Sequence, residues 1–287
     1  MSKFRVKYLS FFFGLISILS FFNIIYSYYF NLYLSVDNYV YTLIISFLLF
    51  MPVFFKKKDE KKITLFNKIL IVISGYFLIP LILSIPYSLS IYNITFLDCY
   101  FEAISGFSST GFTIFENIKH LDQSLIIWRS TTQWIGGLYF LFSIILLIDI
   151  FDNNLKNSFT NFLSFNESET RKQSLKVLIF YVILTFLIFI ILKFINLRTF
   201  DAFNISLTLI SSGGFLPTNN FDLLFQSNIS KILFSILMLF SYFSLFLIYN
   251  LIFFKKRNIN YLSEDFNLLI YLIIIISIVF VFFNNNN

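Results

Sequence analysis

The sequence predicts an all-α integral membrane protein with seven spans and two re-entrant hairpins. Three observations lead there. The chain has 287 residues, 58% of them hydrophobic and only 13% charged, about half the charge of a soluble domain. Apolar runs near 20 residues recur along the whole chain, each long enough to cross a hydrocarbon core of about 30 Å. The basic residues cluster at the ends of these runs, which is a topological signature rather than a nucleic-acid stripe.

The spans are expected near 8–30, 39–55, 66–89, 125–151, 175–197, 231–254 and 266–283. The first follows Lys3, Arg5 and Lys7. It is too long for a signal peptide and lacks a small-residue cleavage site, so a retained span is expected. Lys56, Lys57, Lys58, Lys61 and Lys62 separate spans two and three. Lys156, Arg171, Lys172 and Lys176 separate four and five, and Lys255, Lys256 and Arg257 follow six. Fifteen of the 21 basic residues thus share one side, which the positive-inside rule makes cytoplasmic. The expected location is the cell membrane, with a cytoplasmic N-terminus and an external C-terminus.

Two stretches, 97–116 and 199–218, are too short and polar to span. Each runs from a short helix into a Ser/Thr/Gly cluster and a polar tail. Both must leave and return on the outer face, so each is a candidate re-entrant hairpin. Non-helical backbone at that depth is tolerated only when buried in protein or lining a water-filled path.

The hairpins repeat one another. A shift of 103 residues superposes Asp98 on Asp201, Ser108 on Ser211, Ser109 on Ser212, Gly111 on Gly214 and Phe112 on Phe215. The flanking spans repeat too, so the unit is outer helix, pore helix, loop, inner helix. The domain layout is a helix pair at 1–62, a first repeat at 63–155, a second at 156–257, and the start of a third at 258–287.

Asp98 and Asp201 open the short helices, where a carboxylate suits free amides and the positive dipole end. An attraction for cations at an outer mouth is the functional alternative. The loops are Ser109-Thr110-Gly111-Phe112 and Ser212-Gly213-Gly214-Phe215. An ion filter turns successive backbone carbonyls onto one axis. That demands residues with positive φ, which glycine supplies freely. The expectation is a positive φ at Gly111 and Gly214, with each Phe wedging its loop against the helices. A lone Ser-Thr-Gly is only a turn; two copies in the same place point to a filter.

Several residues read as structural. Cys99 is a small apolar helix residue, and His120 belongs in a polar surface loop. Trp128 and Trp134 suit an interfacial belt. Lys193 and Arg198 suit the outer headgroups. Arg129 either neutralises a hairpin carboxylate, Glu102 or Glu116, or anchors at the interface. No cluster of Asp, Glu, His or Lys at one depth suggests an enzyme, and no covalent cofactor is expected.

These residues resemble the TrkH/KtrB/HKT potassium transporter superfamily, in its TrkH-like branch. Phe101 to Phe112 is similar to the family's first pore region, and Ser211 to Phe215 to its second. The stretch Trp128-Arg129-Ser130-Thr131-Thr132-Gln133-Trp134-Ile135-Gly136-Gly137-Leu138 resembles the start of an inner helix and is the most specific match. The resemblance implies passive potassium transport. It also implies a homodimer docked on a cytosolic nucleotide-binding regulatory subunit. Family members carry four such units, and only the N-terminal half is matched. Two loops cannot surround an ion, so the expectation is either a truncated form or fragment of such a transporter, or completion by a second copy or a complementary half-transporter chain. The alternative is a non-conducting scaffold or regulatory half-protein.

Overall fold

In the computed structural model the described residues are 3–52, 64–147, 170–219, 221–225 and 227–242, with Ile270, Tyr271, Ile273, Ile274, Ile275 and Ser277. All regular structure among them is helical. Helix α1 is Lys3–Tyr29 and α2 is Tyr33–Phe50. Helix α3, Leu65–Leu83, is followed by the short α4, Ile85–Ser88. Next come α5, Phe96–Phe107, and α6, Gln123–Leu147. Then follow α7, Thr170–Phe194, α8, Thr199–Ile210, α9, Phe221–Leu224, and α10, Asn228–Tyr242.

Among the described residues five helices are long and apolar enough to cross a membrane: Tyr8–Tyr29, Tyr33–Phe50, Leu65–Ser88, Gln123–Leu147 and Leu175–Phe194. They coincide with the first five expected spans. The second begins six residues earlier than expected, at Tyr33 instead of 39, because the α1–α2 turn is tight. Asn31 takes the left-handed conformation there, φ +59°, which Asn tolerates better than most residues. The sixth span is described only as far as Tyr242. The seventh lies outside the described residues apart from the six helical positions named above. The Lys56–Lys62 and Lys255–Arg257 clusters lie outside them too. The third span is interrupted at Ser84, and Pro86 stands at the start of α4, where its missing N–H leaves no helical bond unmade.

Helices α1 and α2 pack antiparallel along a seam of small polar side chains. Ser17, Ser20, Asn23 and Ser27 face Ser35, Asn38, Thr42 and Ser46, all buried, and the Ser17 and Ser46 hydroxyls are 2.8 Å apart. In lipid, where apolar surface gives helices little reason to associate, such residues permit close backbones and interhelical hydrogen bonds. Outward side chains are large and apolar instead, among them Phe22, Phe66, Ile179 and Phe186.

Helix α6 is the axis of the fold. A surface helix buries one stripe; α6 buries all its residues from Ser124 to Gly136. It touches α1, α3, α5, α7 and α8. The Trp128 indole N–H donates to the Leu83 carbonyl at 2.9 Å, and that of Trp134 to Thr185 Oγ1 at 3.0 Å. Both tryptophans are buried, so the belt expectation is wrong: their polar edges bind α6 to α3 and α7. Farther along, the Tyr139 hydroxyl donates to the Val72 carbonyl at 2.9 Å. Its ring meets Phe12, Tyr76 and Phe107 at centroid distances of 4.9, 5.0 and 5.1 Å, joining α1, α3 and α5.

Gly136 is where α6 meets the end of α5. A Cβ there would stand 1.9 Å from the Phe107 carbonyl oxygen, a backbone atom that cannot rotate away. Gly136→Ala should therefore destabilise the protein by about 1–3 kcal/mol or more, as overpacking does. Phe140→Ala, at a side chain 55% exposed on the same helix, should stay within about 0.5 kcal/mol. Thermal unfolding of the two purified variants, followed by size exclusion, checks this; equal melting points would refute the close contact.

Candidate functional site

The two short helices are copies in space as well as in sequence. Helices α5 and α8 have 12 residues each, and their first and last residues keep the 103-residue offset. Asp98 and Asp201 sit at the third helical position instead of opening the helix. Thr95 is the N-cap of α5: its Oγ1 accepts from the Asp98 amide at 3.3 Å and donates to Asp98 Oδ2 at 2.6 Å. Asp201 is buried and accepts from Arg198 Nε at 2.7 Å, the arginine itself being exposed. Lys193 donates to the Leu197 carbonyl at 2.9 Å and closes the end of α7.

The helix ends agree more closely still. The C-caps are Ser108 (φ −82°, ψ 0°) and Ser211 (φ −88°, ψ 2°). Each is followed by a serine in the left-handed region, Ser109 at φ +57° and Ser212 at φ +55°. The Ser109 amide donates to the Gly106 carbonyl and that of Thr110 to Ser105, at 3.0 and 3.1 Å. In the second copy Ser212 donates to Leu209 and Gly213 to Thr208, at 3.0 and 2.8 Å. This is the Schellman termination, with serine in the place usually given to glycine. Of the glycines expected at positive φ, Gly111 is there, at +77°. Gly214 is not; the left-handed position common to both loops is the serine.

The loops converge. A Cβ on Gly111 would lie 2.9 Å from the Gly214 Cα, so the two backbones touch at their glycines, four residues beyond each helix end. A Cβ on Gly214 would meet only the Gly111 Cα, at an ordinary 3.6 Å. Gly213 is barred for a different reason: its Cβ would come within 2.3 Å of Gln133 Oε1. Around this contact Ser108, Thr110, Phe112, Ser212 and Gly214 are exposed. The phenylalanines part company. Phe215 is buried, 2% exposed, whereas Phe112 is 70% exposed and wedges nothing.

Each loop is held by polar groups. Past Gly111 the chain doubles back along α5. Ser105 Oγ donates to the Phe112 carbonyl at 2.6 Å, and the Ile114 amide to Glu102 Oε2 at 2.9 Å. Glu102 is paired with Arg129 at 2.7 Å, both fully buried, which decides between the two readings of Arg129. On the other side Gln133 Oε1 accepts from the Phe215 amide at 3.2 Å. Asn219 ties the return segments together, its Oδ1 accepting from the Ile118 amide at 2.9 Å and its Nδ2 donating to the Glu116 carbonyl.

Gln133 and Asn219 were not singled out from the sequence. Gln133 had a usable signal, since a carboxamide within an apolar helix needs a partner. Asn219, in a polar tail, had none. Cys99 is buried and His120 exposed, as expected. Among the described residues no three His, Cys, Asp or Glu gather as a resident metal would require. The groups on offer to a cation are backbone carbonyls and hydroxyls.

Comparison with known proteins bears on this arrangement. The family described as TrkH, cation transport protein, matches residues 35–284. An uncharacterized cation transporter of Methanocaldococcus jannaschii is 32% identical over 145 residues, covering 47% of this chain and 29% of the relative. The Trk system potassium uptake protein TrkH of Escherichia coli is 28% identical over 129 residues, covering 43% and 27%. The chain thus spans less than a third of the length of these relatives. The crystal structure of the potassium transporter TrkH from Vibrio parahaemolyticus aligns with TM-score 0.57 and 20% identity, over 76% of this chain and 45% of that one. The all-helical fold is therefore the one seen there, and the chain belongs to the TrkH family of cation transport proteins.

Proposed function

We propose that the chain is a potassium transport subunit of a Trk-type uptake system, in which α5 and α8 enter the membrane from outside and their loops donate backbone carbonyls to the ion. The observation that carries this is the meeting of two matched helix terminations at Gly111 and Gly214. Both helix C-termini lie within four residues of the contact, and the negative end of a helix dipole favours a cation. Carbonyls in place of hydration water then need no titratable group and no covalent step. Ser109, Thr110, Gly111 and Phe112 with Ser212, Gly213, Gly214 and Phe215 form the filter backbone. The units at 63–155 and 156–257 are its first two repeats, and 258–287 opens a third. The remaining wall is built from further units of the same kind, and the cytoplasmic loops receive a nucleotide-binding regulatory subunit.

Orientation is the first consequence. In a Cys99→Ser background, cysteine at Lys119, which is exposed between α5 and α6, should react with an impermeant maleimide in intact cells. Cysteine at Lys57 should react only after permeabilisation. The opposite pattern would invert the topology.

The loops differ in their tolerance of a side chain. Gly111→Ala forces a Cβ into both a left-handed φ and the Gly214 backbone, a strain on the order of 1–3 kcal/mol. Ion discrimination changes about tenfold for each 1.4 kcal/mol. Gly111→Ala should therefore reduce potassium-over-sodium selectivity by about tenfold or more, and Gly214→Ala should come close to wild type. Rubidium uptake in a host lacking its own potassium uptake, with sodium competition, measures both. Equal tolerance at the two positions would remove this contact from the ion path. Uptake absent from the unaltered chain would favour a non-conducting scaffold.

A further inference from the structure

Arg129 is a cation buried to 1% exposure within the first repeat, and its contacts cross into the second. Its Nε donates to Glu102 Oε1 at 2.7 Å and its Nη2 to Thr113 Oγ1 at 2.9 Å. Its Cζ stands 4.3 Å from the ring centroid of Phe215 and 5.4 Å from that of Phe115. Glu102, Thr113 and Phe115 belong to the first hairpin and its return segment; Phe215 belongs to the second loop. Nη1 is buried with no hydrogen-bond partner among the described residues, and two hydrogen bonds and two aromatic rings fix the plane of the guanidinium. A guanidinium so placed, desolvated and within about 6 Å of a ring, is held strongly by the π-face.

We propose that Arg129 is a positioning residue that locks the two loops to each other: neutralised by Glu102 of one hairpin, it seats Phe215 of the other. This rests on the reading of the loops as a filter and adds to it the device that sets one loop against the other. Phe215 is the residue immediately after Gly214, so the seat of its ring fixes the backbone at the glycine contact. Lysine cannot substitute, because a compact ammonium lacks the planar face that lies on a ring and the fork that holds Glu102 and Thr113 together. Glu102 matters through charge, since an arginine buried without its carboxylate is an uncompensated cation beside a path meant for cations.

Hydrogen–deuterium exchange on the full chain in lipid nanodiscs tests the lock. Two variants suffice, Arg129→Lys and Phe215→Leu. Arg129→Lys should raise exchange over 213–217 by about tenfold, although the substituted residue lies on α6. Phe215→Leu leaves the ion pair intact, yet should raise exchange over 112–116 about threefold, through a released Arg129. Peptides from α1 and α3 should be unchanged in both. Arg129→Lys loosening only 112–116, or Phe215→Leu leaving 112–116 as in wild type, overturns the proposal. A uniform rise in every helix does so as well, because it marks a general loss of stability. Should Arg129→Lys fail to fold, Phe215→Leu alone decides. A separate arm addresses the filter reading: the wild type is compared in potassium chloride and in choline chloride of equal ionic strength. Slower exchange of both loops in potassium supports that reading; no difference refutes it, and the variants still decide whether the lock exists.

Discussion

A polar group taken out of water needs a partner, and the first half of α6 is where this chain meets most of that demand. Trp128, Arg129, Thr131, Thr132, Gln133 and Trp134 are all buried on a helix flanked by others on several sides. None can be satisfied by solvent. The Thr131 and Thr132 hydroxyls turn back onto the carbonyls of Trp128 and Arg129, at 2.8 and 2.6 Å. The other four reach outward, each to a different element: Trp128 to the end of α3, Arg129 to α5, Gln133 to the second loop, Trp134 to α7. The positions of all the elements around the loops follow from these few bonds. An apolar α6 would pack as well in lipid and would specify none of them.

Gly136 and Gly137 extend the same logic with backbone. A Cβ on Gly136 would strike the carbonyl at the end of α5, and one on Gly137 would come within 2.7 Å of Ser211 Cβ at the end of α8. Adjacent residues on a helix point about 100° apart. Consecutive glycines can therefore admit two different neighbours, and here they admit the two matched helix ends. In this stretch Trp128, Arg129, Gln133, Trp134, Gly136 and Gly137 each meet a neighbour through a particular polar group or through the lack of a Cβ.

Much of this was legible in the sequence, and the parts that were not share a cause. Five spans, the presence of two short helices and their offset depend on hydrophobic runs and on a repeat, both of which are patterns along the chain. The contact of Arg129 with Glu102 could be framed but not decided, because two carboxylates were within reach. Most of the misreadings concern where a side chain points. Phe112 and Phe215 align in sequence, yet one is exposed and the other buried. The tryptophans suited an interface by composition and lie in the core by packing. The expected left-handed Gly214 failed because the left-handed residue of that loop is Ser212, two residues earlier, as Ser109 is in the first. That serine sits where glycine would be unstrained, and a non-glycine residue held there costs on the order of 1–3 kcal/mol. Its presence in both copies was visible only once φ was known.

The alignment of the repeats also explains why the two loops are not equivalent. At the 103-residue offset Glu102 corresponds to Ile205 and Ser105 to Thr208. Glu102 and Ser105 are the groups with which α5 holds its own returning loop. Their counterparts cannot do the same work: Ile205 is apolar, and the Thr208 hydroxyl is engaged with the Ile205 carbonyl at 3.1 Å. The second loop's anchors come from the first repeat instead, through Gln133 at the Phe215 amide and Arg129 at its ring. The first loop is thus held largely by its own short helix, and the second by side chains of α6. Two helix ends that match in backbone are therefore fixed by unlike side chains, and the difference comes down to two polar positions, Glu102 and Ser105, whose counterparts are Ile205 and Thr208.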